Sequence, residues 1–134
     1  MKKILALILA LLTLVVCLTS CGKMEDFTKK LGSDYEVDTF TQKEIEYISE
    51  IFELDSKEYE VEEMIQATHE DTGCSVFIIK CGSAGKAKKL VENSGNIIKY
   101  LKYYYSSSYT FDSVRKGKFV LIGETSAIND ALGK

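Results

Sequence analysis

Proline is absent from the 134 residues, and there is a single histidine, His69. Without proline there is no Pro-rich linker or wall-spanning stalk. With one imidazole, the HExxH helix and multi-histidine metal sites are excluded. A Ser-His-Asp order, a carboxylate pair set up for acid–base work and an Asp-rich calcium loop are missing as well. Nor is there a run of the ~20 apolar residues that a spanning helix needs. The apolar stretch Ile4 to Leu18 has 15 residues. No enzyme activity, cofactor or metal is expected from these motifs.

What is present is ordinary globular composition, 46% hydrophobic and 28% charged, which argues against disorder, a coiled coil or a multi-span membrane protein. The N-terminus has its own pattern. Met1-Lys2-Lys3 is a short basic start, Ile4 to Val16 is apolar apart from Thr13, and Leu18-Thr19-Ser20-Cys21 follows. A positive end stays on the cytoplasmic side while the apolar run enters the bilayer.

Leu18-Thr19-Ser20-Cys21 resembles the lipobox of bacterial lipoproteins: an apolar residue, two small residues, then cysteine. The resemblance implies a diacylglyceryl group on the Cys21 sulfur, with fatty acids such as palmitate, and cleavage just before Cys21. The plain alternative is a secretory signal with Cys21 a bystander. Cys17, inside the apolar run, reads as filler. Residues 1–20 are then a signal peptide, 21–40 a lipidated tether and N-terminal segment, and 41–134 a single domain. Cleavage leaves 114 residues, enough for one modest core. If Gly22 to Ser33 is the tether, its reach is roughly 40 Å at ~3.5 Å per residue.

Charge is split along the chain. Cys21 to Asp71 holds 16 acids and 5 lysines, whereas Thr72 to Lys134 holds 10 Lys plus Arg and 4 acids. The plain reading is two surfaces of one fold that attract each other. The sharper reading is a basic face for anionic wall polymer or lipid headgroups. Nucleic acid is not an expected partner of an exported, net acidic chain.

The periodicities predict an α+β fold. Met24 to Leu31 suits two helical turns stopped by Gly32, and Asp34 to Phe40 a short extended piece. Thr41-Gln42-Lys43-Glu44 is a capping box that opens a helix over 42–54. Glu58 to Thr68 fits a helix or a strand; the turn Glu70-Asp71-Thr72-Gly73 and the strong strand Cys74 to Cys81 favour a hairpin. A second helix starts at Gly82-Ser83 and is interrupted at Asn93-Ser94-Gly95-Asn96. Tyr109 and Phe111 begin a third strand, Phe119 to Ile122 forms a fourth, and Glu124 to Leu132 closes as a helix. Val76 to Ile79 and Phe119 to Ile122 are apolar on both sides, so each should be central. The order helix–hairpin–helix–hairpin–helix suggests an αββ repeat on a roughly four-stranded, mainly antiparallel sheet. The second face of that sheet needs cover, for which the candidates are segment 24–40, the last helix or a second molecule.

Three clusters could carry chemistry. His69 with Cys74 or Cys81 suggests a thiol or metal site. The cysteines, however, lie seven residues apart on one strand, ~23 Å and on opposite faces, too far for a shared metal or a disulfide. Two free thiols in an exported domain are unusual in an oxidising compartment and fit an organism living without oxygen. Gly82-Ser83-Ala84-Gly85-Lys86 faintly resembles a phosphate loop but lacks its first glycine and the hydroxyl residue after lysine, so a helix cap is the simpler reading. Lys99-Tyr100-Leu101-Lys102-Tyr103-Tyr104-Tyr105 combines aromatic and basic residues. Leu101, Tyr104 and Tyr105 are expected in the core. Tyr100 and Tyr103, with Lys99 and Lys102, are expected outside as a ligand or partner patch, where tyrosine faces can stack on sugars.

These readings describe a lipoprotein held to the bilayer through acylated Cys21, on the extracytoplasmic side of the cell membrane. It is similar to small Gram-positive lipoproteins without known activity. The expected role is a non-enzymatic binding or accessory module for an envelope protein or wall polymer. The alternative is a regulator or inhibitor of an exported enzyme, by analogy with small αββ modules of the PepSY and β-lactamase-inhibitor-like kinds.

Overall fold

The computed structural model of the chain describes residues 23–105 and 109–134. Residues 1–20, read above as a signal peptide, and Cys21, the expected lipidation site, lie outside the described residues. The fold is α+β, with five strands in one antiparallel sheet and helices on both faces. In chain order the elements are α1 (Met24–Leu31), β1 (Tyr35–Thr39), α2 (Gln42–Ile51), β2 (Glu63–His69), β3 (Ser75–Lys80), α3 (Ala84–Glu92), α4 (Gly95–Tyr105), β4 (Phe111–Lys116), β5 (Phe119–Glu124) and α5 (Thr125–Leu132). The strands lie in the order β1-β2-β3-β5-β4.

The two hairpins, β2–β3 and β4–β5, meet through their second strands, with Ile78 opposite Leu121. Those are the strands with apolar residues on both sides, and their inner positions are buried throughout. Side chains alternate between faces. Val76, Ile78, Phe119 and Leu121 enter one core with α1 and α5. Phe77, Ile79, Val120 and Ile122 enter a second core with α2, α3 and α4. The second sheet face is therefore covered locally, by Phe27 and Leu31 of α1 and by Ala127, Ile128 and Ala131 of α5.

Four expectations are corrected. The sheet has five strands rather than four, because Tyr35–Thr39 pairs with β2, Val37 opposite Ala67. A domain start at residue 41 would cut β1 from that partner. The second helix is two helices: Ser94 is buried at the break, its hydroxyl bonded to the Val91 carbonyl (2.7 Å) and to Ser113 of β4 (2.8 Å). The helix read as 42–54 ends at Ile51. Glu53 turns left-handed (φ 54°), and the Leu54 N–H bonds the Ser49 carbonyl at 2.8 Å, a Schellman closure built without glycine. Finally, the stretch from Glu58 becomes strand only at Glu63. Before it, Asp55 Oδ1 accepts from the Lys57 and Glu58 N–H groups, and Tyr59 is buried with its hydroxyl accepting from Asn93 (3.0 Å).

The capping box at Thr41 and Glu44 forms as read. The charge split also has a structural counterpart. Glu58, Glu60 and Glu62 pair with Lys89 (2.9 Å), Lys86 (3.2 Å) and Lys80 (3.5 Å), so each pair joins the acidic half of the chain to the basic half. Such exposed pairs contribute little to stability and more to register.

One buried group is poorly matched. Ser49 on α2 is 2% exposed, and its hydroxyl has no hydrogen-bond partner among the described residues. An unpaired buried hydroxyl costs about 1–3 kcal/mol. Ser49→Ala is therefore expected to raise the unfolding free energy by about 1 kcal/mol, measured as a higher urea midpoint at unchanged slope. A lower midpoint would show that the hydroxyl is satisfied in solution.

Candidate aromatic cleft

The α2 and α4 helices lie side by side on one sheet face without closing over each other. A cleft of about 230 Å³ remains between them, lined by Ile48, Ile51 and Phe52 on one bank and Tyr100, Tyr104 and Tyr105 on the other. Phe77 of β3 forms part of its floor. A shallow extension of about 340 Å³ continues past Phe52 and Tyr100 to Glu53, Lys99 and Tyr103.

The aromatic rings run from core to surface in sequence. Phe77 meets Phe52 edge-on at 5.3 Å, Phe52 meets Tyr100 at 5.5 Å, and Tyr100 stacks on Tyr104 at 6.0 Å and 15°. Tyr104 in turn touches Tyr105 at 5.2 Å. The Tyr105 hydroxyl is fixed by Gln66 Nε2 of β2 at 3.2 Å. Tyr103 is 90% exposed and Tyr104 68%. The buried rings fix the inner half of the array, and the outer rings present free faces to solvent. Lys99 and Glu53 line the same extension, so the charge there is of both signs.

This arrangement differs from the sequence expectation at three tyrosines. Tyr104 is exposed and Tyr105 half-buried rather than core, and Tyr100 is half-buried against Phe52 rather than outside. Leu101 is buried and Tyr103, Lys99 and Lys102 are exposed, as read. The other bank, Ile48, Ile51 and Phe52, reads in the sequence as the apolar stripe of its helix, Ile45, Ile48 and Ile51 or Phe52 at helical spacing, and carries no sign of a site.

The remaining candidates resolve into structural roles. His69 Nδ1 accepts from the Asp71 and Thr72 N–H groups at 3.2 and 3.3 Å, so the imidazole caps the β2–β3 turn. Cys74 and Cys81 are free and buried, one in each core. Burial, aided by Glu62, pushes the Cys81 thiol up to about 11, which keeps it protonated and unreactive. Ser83 Oγ caps α3 by accepting from the Lys86 N–H (3.2 Å), while Lys86 Nζ bonds the Glu58 carbonyl (3.1 Å). That lysine is engaged with the 58–60 loop instead of with a phosphate cradle. The Tyr35 hydroxyl donates to Asp130 at 2.7 Å, joining β1 to α5; burial and that carboxylate raise its pKa.

A larger groove of about 460 Å³ lies between α1 and the β1–β2 edge, lined by Met24, Val37 and Ile65 together with Glu25, Glu62 and Glu63. It holds no aromatic array, Phe40 being its single ring, and lies beside the first turn of α1. Among the described residues no three His, Cys, Asp or Glu side chains gather in a way that would hold a metal, and no helix is long and apolar enough to cross a membrane. The chain is thus an α+β protein with an aromatic cleft between two helices of one face. It matches no protein-family model, no curated protein and no solved structure.

Proposed function

We propose that this protein is a lipid-anchored, non-enzymatic binding module on the extracytoplasmic side of the cell membrane, and that its aromatic cleft takes a glycan of the wall polymer. The observation that carries the binding role is the Tyr100–Tyr104 stack, supported from beneath by Phe52 and Phe77 and open to solvent above. Flat, amphipathic rings on a fixed support suit sugar faces, because little conformational freedom is lost on binding. The mixed charge of Glu53 and Lys99 favours a polymer with both donors and acceptors over a purely anionic one. The anchoring role is supported by Leu18-Thr19-Ser20-Cys21 directly after the apolar run.

Co-sedimentation of the full protein with purified wall polymer tests the reading. The double variant Tyr103→Ala, Tyr104→Ala removes two exposed rings and no buried one. At about 1 kcal/mol per stacked ring, affinity should fall roughly tenfold or more, while the domain stays folded and its unfolding midpoint falls only by the lost Tyr104 contacts with Tyr100 and Tyr105. Unchanged retention would sink the glycan reading. It would favour instead a protein partner at the open edge of β1, where Val37 is 37% exposed.

A further inference from the structure

The β registers place several chain segments at one end of the sheet. Glu63 pairs with Lys80, Lys80 with Phe119, and Phe119 with Lys116. This end therefore gathers the start of β2, the end of β3 and the β4–β5 turn. The first turn of α1 lies here too, because Phe27 packs edge-on against Phe119 at 5.0 Å, and Lys23, Met24 and Glu25 share a small cleft with Glu63 and Lys80. The aromatic cleft lies elsewhere: Tyr105 touches Phe111, which pairs with Glu124 at the opposite end of the sheet.

The charges at this end are unevenly spread. On the β1–β2 side Glu25, Glu62 and Glu63 are partly offset by Lys23 and Lys80. The end of β4 and the β4–β5 turn, Arg115-Lys116-Gly117-Lys118, are exposed and carry three positive charges. Among the described residues none of the three makes an ion pair, and Arg115 Nη1 only donates to the Gly117 carbonyl at 3.2 Å. Folding has thus paired several lysines of the basic half with glutamates and left this turn unpaired.

Because α1 begins at Met24, the tether is shorter than the sequence reading gave. Three peptide steps separate Cys21 from Met24, ~10 Å at most, against the ~40 Å expected for a tether reaching Ser33. That reach is about one Debye length at physiological salt. We propose that the β4–β5 turn docks on anionic headgroups of the same bilayer that holds the anchor, so the domain leans on this corner and turns its aromatic cleft away from the membrane. The proposal rests on the lipoprotein reading. A basic residue brought to an anionic surface gains about fivefold in local partition, so three basic residues within reach of the surface bias the orientation strongly. The β1–β2 side of the same end, where three glutamates face Lys23 and Lys80, gains no such attraction, which sets the direction of the lean.

The test uses the native, acylated protein in the outer leaflet of phosphatidylglycerol or phosphatidylcholine vesicles. Lysines are modified with a membrane-impermeant acylating reagent and rates are read peptide by peptide. Lys116 and Lys118 should react at least fivefold more slowly on phosphatidylglycerol, and 1 M salt should abolish the protection. Lys99 and Lys102 should react alike on both surfaces. Equal rates at Lys116 and Lys118 on the two surfaces, with the acyl group confirmed on Cys21 by mass, would overturn the docking and leave the lipoprotein reading intact. Equal protection by wall polymer added to phosphatidylcholine vesicles would also overturn it, by assigning the turn to the polymer. A native chain without the acyl group would overturn both readings.

Discussion

Replacing Cys21 with alanine should abolish incorporation of labelled fatty acid and leave the precursor uncleaved, with its apolar run still attached. The thioether to diacylglycerol can form only at a sulfur, and cleavage before residue 21 depends on the same side chain in the lipobox pattern that Leu18-Thr19-Ser20-Cys21 resembles. In the mature protein the acyl chains would supply the anchor, because each buried methylene contributes about 0.8 kcal/mol, and a single chain holds marginally where two hold stably. Cys17→Ala is the matched control. It removes a sulfur from within the apolar run and should leave labelling intact. Labelling that persists in Cys21→Ala would sink the lipobox reading, and loss of labelling in Cys17→Ala would move the site.

Much of the fold could be read from local signals. The capping box at Thr41 and Glu44 is a contact between residues three apart, and such contacts are fully specified by sequence. The strands β3 and β5 are apolar on both sides because both faces are covered, and that pattern alone assigned them the centre of the sheet. The fifth strand was less visible. In Tyr35–Thr39 the sheet-facing positions are Tyr35, Val37 and Thr39, a weak alternation, and four of its five residues are exposed. Its place depends on pairing Val37 with Ala67 across thirty positions of chain, which no local pattern encodes. The left-handed closure at Glu53 was hidden for a related reason, since the residue is not a glycine and nothing in its type announces a positive φ.

The cleft shows the same boundary between local and long-range information. Helical periodicity gives the angle at which a side chain leaves its axis. On α4 it correctly buried Ile97 and Leu101, and it placed Tyr104 one to two turns further along the same stripe. Whether that stripe is covered depends on the neighbour. Phe52, at the end of α2, reaches Tyr100, but the two helices leave a cleft over Tyr104. An inward-pointing tyrosine is thereby left 68% exposed. The aromatic and basic cluster was legible as a candidate; its opposite bank on α2 was not, because it exists only once the two helices lie on the same sheet face.

A second large effect is expected at Gly123. This residue sits opposite Val76 where the two central strands pair. A methyl group added there would overlap the Ser75 carbonyl oxygen and lie 2.7 Å from Val76 Cα. Both obstacles are backbone, so no side-chain rotation relieves the clash and the strands must separate. Gly123→Ala should therefore lower the unfolding free energy by about 3 kcal/mol, a large share of the roughly 5–15 kcal/mol that holds a domain together. Gly95→Ala provides the contrast. Gly95 opens α4 with nothing within 4 Å of its added methyl, so alanine there should stabilise by about 0.5–1 kcal/mol through its helix preference and the reduced freedom of the unfolded chain. Chemical denaturation of the two variants should move the midpoint in opposite directions. Equal shifts would mean that the β3–β5 approach is looser than its register implies. The damage at Gly123 should also spread to the far sheet face. The next residue, Glu124, caps α5 by accepting from the Ser126 N–H at 3.0 Å and the Ala127 N–H at 3.4 Å, and α5 lays Ala127, Ile128 and Ala131 over that face. A displaced strand end carries the cap with it and loosens the helix. Gly123→Ala should accordingly bind an apolar dye before global unfolding, through the uncovered Val76, Ile78 and Leu121 face, and Gly95→Ala should not.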